Sequence, residues 1–395
     1  MADRRFDIVV FGATGFTGAL TAEYLAHNAP AGMRWALAGR NMDKLSAVRA
    51  RLGRACADLP LLRADSGDPA SLREVAEATK VVITTVGPYI RYGEPLVAAC
   101  ATAGTDYVDL TGEPEFVDRM YLNYHEQAER SGARIVHSCG FDSIPYDLGA
   151  QFTVEHLPEG VPIAVEGFVR TNGSFSGGTY QSAIEILGRM RSASAVARER
   201  RRREGQSSRR AVKGVTGLPH HDEFGGGWVV PLPTLDPITV LRSARALDRY
   251  GPDFSYSHYL AIKRLPVLAG LVGGAGGLIL LSQIPPVRKQ LLKLKSSGEG
   301  PSEQQRANGW FRVRFAARAG DAAGATAGDQ EIRTEVSGGD PGYGETSKML
   351  AESALCLAHD DLPARVGQLT PAVAMGPALR RRLEAAGIEF RVLHA

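Results

Sequence analysis

Gly12, Gly15 and Gly18 recur every third residue in Phe6–Gly18, FDIVVFGATGFTG. Glycine lets a phosphate come close to a backbone, because a Cβ would block the approach. Ala13, Thr14, Phe16 and Thr17 fill the intervals. The apolar run Ile8–Phe11 reads as a buried strand, and Phe16, Leu20, Tyr24 and Leu25 have helical spacing. A glycine turn between strand and helix presents backbone N–H groups and a positive helix end to one anion. The chemistry this predicts is recognition of a dinucleotide pyrophosphate.

A second group of residues selects the dinucleotide. An NAD-selective fold carries an acid at the end of the second strand, on the ribose 2′-hydroxyl. Here that strand ends in Ala38-Gly39-Arg40, with no Asp or Glu at that point. A guanidinium can fork onto a 2′-phosphate instead. Asn41 is suited to cap the next helix, which sets Lys44 in its first turn. The helix dipole disfavours a cation there unless an anion docks nearby. The expected cofactor is therefore NADP(H). Asp65, after the third strand, would contact the adenine or cap the following helix.

In an open parallel sheet, ligands lie beyond the carboxyl ends of the strands. Two loops of unusual composition fall there, Thr84-Thr-Val-Gly-Pro-Tyr89 and Cys139-Gly-Phe-Asp-Ser-Ile-Pro-Tyr146. Val86, Gly87 and Pro88 would turn the backbone beneath a nicotinamide. Hydride transfer needs no protein nucleophile, because the cofactor carries that chemistry. The protein must hold the acceptor and supply a proton. Tyr89 and Asp142 are the candidates for that role. Each has a plainer reading, Tyr89 as a packing aromatic and Asp142 as the cap of a helix beginning near Pro145. Cys139 reads as a small buried residue, His137 as structural, and Glu113 as a helix cap or a cleft residue. No Tyr-Xaa-Xaa-Xaa-Lys pairing stands in a usable place, which disfavours short-chain dehydrogenase chemistry, and the sequence holds no metal-ligand cluster.

These residues need a scaffold. Over 1–150, apolar strands alternate with amphipathic helices, the rhythm of a doubly wound parallel α/β sheet of Rossmann type. From 151 to 343 the rhythm changes to an inserted α+β domain for substrate or interaction, with a glycine-rich turn at Ser174–Thr179. From 344 to 395 helical spacing returns, and these helices are expected to pack back on the first domain. At 395 residues the chain has room for roughly two or three domains. A net charge of +3 gives no global reason for nucleic-acid binding. The four cysteines lie far apart, which fits reduced thiols in a cytoplasm. The N-terminus enters the first strand without a signal peptide, so the expected location is cytoplasmic.

Two segments break the pattern. Arg198–Arg210 carries seven arginines and reads as a solvated helix end or loop, with a nucleic-acid or phospholipid contact as the sharper alternative. Leu265–Val287 holds no charged residue. Its length reaches that of a membrane span, but its glycines and Pro285-Pro286 argue against one. It reads as a buried element, an acyl-lining wall, or a peripheral membrane, lipid or partner surface, leaving membrane association and a homodimer open.

GATGFTG, AGR at 38–40, TTVGPYIRYGEPLVAAC at 84–100, DLTGEPEF at 109–116 and CGFDSIPYDLG at 139–149 resemble the saccharopine dehydrogenase-like oxidoreductases. FSGGT at 175–179, GDPGYGET at 339–346 and LTPAVAMG at 369–376 narrow the likeness to their trans-acting enoyl reductase branch. The resemblance runs over nearly the whole chain. It implies a Rossmann domain with an inserted α+β domain. It further implies NADPH reduction of a lipid- or polyketide-type enoyl thioester, on a small molecule or on the acyl carrier of a polyketide synthase. Two alternatives are a saccharopine-type imine reductase and a non-catalytic NADP-binding sensor or lipid-surface protein. The imine reductase would need cations for two or more carboxylates, and no such cluster is visible near the glycine turn of the second domain.

Overall fold

The computed structural model describes residues 4–172, 189–205, 210–232, 234–263, 287, 290, 302–320 and 330–394. Strand β1 (Phe6–Phe11) is buried along its whole length and turns through the glycine segment into α1 (Phe16–Asn28). Next come β2 (Trp35–Gly39), α2 (Met42–Arg51), β3 (Leu61–Arg63) and α3 (Pro69–Ala78). The series continues with β4 (Thr79–Thr84), α4 (Tyr89–Tyr92), α5 (Glu94–Ala103), β5 (Asp106–Val108), α6 (Pro114–Ser131) and β6 (Arg134–Val136). All pairings in this sheet are parallel. Continuous apolar runs such as Ile8–Phe11 and Val81–Ile83 suit a parallel sheet covered on both faces.

The strand order is β14-β6-β5-β4-β1-β2-β3, where β14 is Gly367–Leu369. Strands β1 and β4 are neighbours, so the chain reverses direction across the sheet between them. That crevice is where a doubly wound sheet binds its ligand. One face packs α1 and α2 with the core of Ile8, Val10, Leu25, Leu37 and Leu45. The other packs α3, α5 and α6 on Val9, Phe11, Val82 and Tyr107.

Helix α7 (Ile144–Glu155) leaves the first sheet and lies against a second. That sheet is mixed, with β7 (Ile163–Thr171) and β11 (Asp253–Ile262) parallel at its centre and β12 (Phe311–Ala319) and β13 (Gln330–Gly338) antiparallel beside them. Strands β8 (Ala211–Gly214) and β10 (Gly227–Pro231) share one edge of β11, and β9 (His220–Asp222) flanks β10. Helix α8 (Met190–Glu204) contacts α6, and α9 (Asp236–Ala246) contacts α7. A short α10 (Glu303–Ala307) precedes β12.

The segment from Gly344 divides between the two sheets. Helix α11 (Gly344–His359) is almost wholly buried against α1 and β4, and β14 joins the parallel sheet. After α12 (Pro371–Ala374) and α13 (Gly376–Ala385), β15 (Glu389–His394) pairs with β13 of the second sheet. The tail expected to be only helices therefore contributes a strand to each sheet. The glycine turn at 174–179 and all but the last residue of the uncharged stretch 265–287 lie outside the described residues, so the lipid, wall and partner readings of the latter are not addressed by the fold. Among the described residues, no helix is long and apolar enough to cross a membrane. All four cysteines are free and buried, and no metal-ligating cluster occurs among the described residues.

Candidate functional site

The glycine turn closes on itself. Gly12 has a φ of +89°, which favours glycine, and its carbonyl accepts from Gly15 N at 2.9 Å and from Thr85 Oγ1 at 3.2 Å. A Cβ on Gly12 would meet Val86 Cγ2 at 2.7 Å, and one on Gly18 would collide with the Gly12 carbonyl. The turn is thus stitched to the loop after β4 across the crevice. The N-terminus of α1 has no side-chain cap and no acid in its first turn. Such an end leaves backbone donors and a positive dipole for a ligand phosphate. These residues fit a pyrophosphate.

At the end of β2, Arg40 is exposed and makes no ion pair among the described residues. Asn41 caps α2, its Oδ1 accepting from Lys44 N at 2.9 Å, which places Lys44 in the first turn beside Asp43. Arg40 and the α2 N-terminus therefore lie side by side at the carboxyl end of β2. Asp65 does not cap the next helix. Its Oδ1 accepts from Gly67 N at 3.0 Å, and Asp68 caps α3 through Ala70 N and Ser71 N.

The loop after β4 runs Thr85-Val86-Gly87-Pro88, with a cis Gly87-Pro88 bond, into α4. Tyr89 does not present its hydroxyl to the crevice. The residue is 4% exposed, its hydroxyl donates to the Thr84 carbonyl at 3.1 Å, and its ring lies 5.7 Å from that of Phe116. Burial first, then the charge of Asp109, pushes its pKa well up. The expectation of Tyr89 as proton donor is corrected: a hydroxyl committed to a buried carbonyl is a packing and positioning element. Glu113 occupies the N-cap position of α6, but its side chain makes no capping bond there. Its carboxylate accepts from Tyr89 N and Ile90 N, at 2.9 Å each, and so holds the start of α4.

Asp142 behaves differently. The residue is exposed, yet its carboxyl sits in the loop after β6 with protein around it and Gly112 close by. That surrounding protein desolvates it and pushes its pKa up to about 6. Ser143 occupies the N-cap of α7, its hydroxyl donating to Thr239 Oγ1 at 3.2 Å and not capping the helix, so the capping alternative for Asp142 is not what the structure shows. Behind it stands a buried polar group from the second domain. Tyr256 Oη lies 3.0 Å from His258 Nδ1, and Asp236 lies 3.7 Å from His258 Nε2. Burial pushes His258 down to about 3 and, with the charge of Asp142, holds Asp236 well above the carboxylate range.

Past β6 lies a feature the residue pattern did not reveal. His137 Nδ1 is 2.7 Å from Asp109 Oδ2, which also accepts from Tyr107 Oη at 2.9 Å. Asp109 Oδ1 accepts from Thr111 N and Ser138 N. A carboxylate only accepts, so Nδ1 carries the proton. Among the described residues Nε2 of this buried histidine has no hydrogen-bond partner. Ser138, next in the chain, has a φ of +63°, the left-handed region that a non-glycine residue seldom occupies. His137 and Ser138 lie on the wall of a cavity of about 730 Å³. Six arginines, Arg200, Arg201, Arg210, Arg242, Arg245 and Arg365, line it with them.

Residues 8–136 match the family described as saccharopine dehydrogenase NADP binding domain. A protein of Mycobacterium tuberculosis strain H37Rv named "Putative trans-acting enoyl reductase" is 40% identical, over 98% of this chain and 97% of its own. The "Trans-acting enoyl reductase" of Mycobacterium ulcerans is 37% identical over the same shares. The chain belongs to the trans-acting enoyl reductase family. The apo saccharopine dehydrogenase (L-Glu forming) of Saccharomyces cerevisiae shares the fold, with a TM-score of 0.56 at 11% identity over 98% of this chain and all of its own.

As a member of the enoyl reductase family the chain is an NADP-dependent oxidoreductase by kinship, with a Rossmann-type sheet beside a second mixed sheet. The structure brings Gly12–Gly18, Thr85–Pro88 and Asp142 to the same end of the sheet and places Arg40 at the β2 side of the crevice. It withdraws Tyr89 into the core. Sequence reasoning missed the Asp109–His137 pair, whose members are 28 residues apart on adjacent strand ends. The only available signal was position, since each directly follows an apolar strand of the parallel sheet.

Proposed function

We propose that this protein uses NADPH to reduce the carbon–carbon double bond of an α,β-unsaturated acyl thioester. The observation that carries the reading is the continuous set of features across the β1/β4 crevice. An uncapped helix end faces one side, an exposed Arg40 follows the end of β2, and an acid with a raised pKa lies in the loop after β6. Relatives named as enoyl reductases at 37–40% identity supply the bond type.

Gly12–Gly18 and the α1 N-terminus would hold the pyrophosphate, Arg40 with Asn41 and Lys44 the 2′-phosphate side, and Val86–Pro88 the nicotinamide. When bound, NADPH supplies the hydride, which goes to the β-carbon of the enoyl group. The α-carbon then needs a proton, and Asp142 in its carboxylic acid form supplies it. Desolvation is what makes this feasible, because a carboxyl with a pKa of about 6 retains protonated molecules near neutral pH. Glu113 and Tyr89 keep the loop after β4 in place beneath the reacting groups.

Purified protein with NADPH should reduce enoyl esters of pantetheine or of an acyl carrier, followed as loss of absorbance of the reduced cofactor. If every enoyl thioester offered is left unreduced while the cofactor binds, the enzymatic reading fails and a cofactor-binding sensor replaces it.

A further inference from the structure

The cavity beyond β6 is walled by more positive charge than its carboxylates offset. Arg200 pairs with Asp118 at 3.1 Å and with Glu204 at 2.6 Å, and Arg242 also reaches Asp118. Among the described residues Arg201 and Arg245 make no ion pair, although the charge of Glu204 acts on Arg245, and Arg365 donates to the Ala246 carbonyl at 3.1 Å. Arg210 lies 3.7 Å from Asp248, so three acids, Asp118, Glu204 and Asp248, serve a wall of six guanidiniums. Burial, and after it the charge of Arg200, lowers Arg242 to about 10. Crowded cations that depress one another mark a place where an anion would be welcome.

The cavity is also graded. Arg201, Arg245 and Arg365 are exposed at its rim, whereas His137, Ser138 and Thr239 are buried at its floor. His137 Nε2, without a partner among the described residues, and the left-handed Ser138 are both on that floor. The floor follows directly from β6, two strands from β4 and so ~10 Å along the sheet from the loop assigned to the nicotinamide. A ligand reaching from the crevice past β6 would set an anionic end among the rim arginines. The fork of a guanidinium matches phosphoryl oxygens in pairs.

We infer that this arginine-walled cavity is a binding site for the phosphoryl group of a phosphopantetheine-type arm. The inference rests on the thioester reading above and adds the subsite that would recognise the carrier of that thioester. A phosphoryl group of this kind occurs both in coenzyme A and in the prosthetic arm of a carrier protein.

The test is calorimetry on the full chain with NADP⁺ saturating the dinucleotide site, comparing 4′-phosphopantetheine with pantetheine. The expected result is at least tenfold tighter binding of the phosphorylated compound, with the difference shrinking as salt is raised. In the double variant Arg201→Gln/Arg245→Gln the difference should fall towards one, while the melting temperature stays near that of the parent. Equal affinity of the parent protein for the two compounds overturns the inference, and needs no variant to be informative. Repeating the comparison with coenzyme A and with a phosphopantetheinylated carrier domain identifies the source, as the one whose affinity the double variant lowers more. If it lowers neither, the inference also fails. Preference for the phosphorylated arm without turnover of any enoyl ester would leave this site standing and remove the proposed reaction. Turnover without the preference would do the reverse.

Discussion

Asp142 and Tyr89 both stand near the carboxyl ends of the strands, yet only one of them can exchange a proton with a substrate. The difference is what each oxygen faces. Tyr89 Oη is spent on the Thr84 carbonyl inside the protein, while Asp142 is an exposed residue with a desolvated carboxyl. As an acid, Asp142 must be protonated to act, so kcat/KM should fall as pH rises through about 6. Asp142→Asn should lower the rate by about 10²–10⁴-fold and abolish that limb of the profile. A variant whose pH profile matched the parent's would remove Asp142 from the reaction. Arg40 has a sharper test. Arg40→Asp should weaken NADPH by at least about tenfold, the cost of losing a charged hydrogen bond, and narrow the gap between NADPH and NADH. Unchanged NADPH affinity in a fluorescence titration would show that Arg40 is an ordinary surface charge. The glycines and Arg40 were readable because their signal is local, a spacing and a residue type at a strand end. The Asp109–His137 pair and the Arg200–Asp118–Arg242 group join residues that only the folded chain brings together. Arg200 belongs to a run that reads as solvated, yet in the fold it is 5% exposed beneath α6.

At the scale of elements, the site depends on how closely α1 approaches β1 and β4. Gly18 is buried in the first turns of α1, and its Cα faces the Gly12 carbonyl and Thr85 Oγ1. A methyl group there would push the helix end off the turn. Gly18→Ala should therefore cost about 1–3 kcal/mol in urea unfolding and weaken NADPH as the helix N-terminus moves away from the phosphates. Full affinity and stability in that variant would mean the close approach is dispensable. The same closeness recurs where the two sheets meet, since a Cβ on Gly149 of α7 would come 2.5 Å from Phe315 Cε2 of β12. Helix α7 thus fixes the second sheet against the end of β6, which is how Asp142 comes to sit in front of Asp236 and His258. The alternation of strands and helices made the first sheet legible, because each unit is contiguous in the chain. The second sheet was legible only as scattered strands, β7, β12 and β13. The ten-residue β11 at its centre went unread, and the other members are short or, like β15, arrive from the far end of the sequence.

Across the whole molecule, the last fifty residues hold together what the linear domain division would separate. Met349, Leu350, Ala354 and Leu355 of α11 pack into the same core as Ile8, Val10 and Leu25 of the parallel sheet. Tyr24 of α1 donates to Glu352 of α11 at 2.7 Å, and Arg134 of β6 donates to the Leu357 carbonyl at 3.0 Å. Helix α11 therefore serves as part of the covering layer of one face, although it lies some two hundred residues beyond β6 in the chain. A fragment ending after α7 would expose that face, with apolar side chains each contributing about 1.5–3 kcal/mol when buried. Such a fragment should aggregate or bind NADPH poorly, despite containing every residue assigned to the dinucleotide. Co-expression with a peptide spanning 344–395 should restore soluble, cofactor-binding material, measured by gel filtration and by fluorescence titration. A fragment of residues 1–155 that is monomeric and binds NADPH with parental affinity would show that α11 is an accessory and that the first domain is complete without it. The converse result makes the cofactor site a property of the closed chain, since the parallel sheet that sets Gly12 opposite Thr85 would be fully covered only once the C-terminal segment has returned to it.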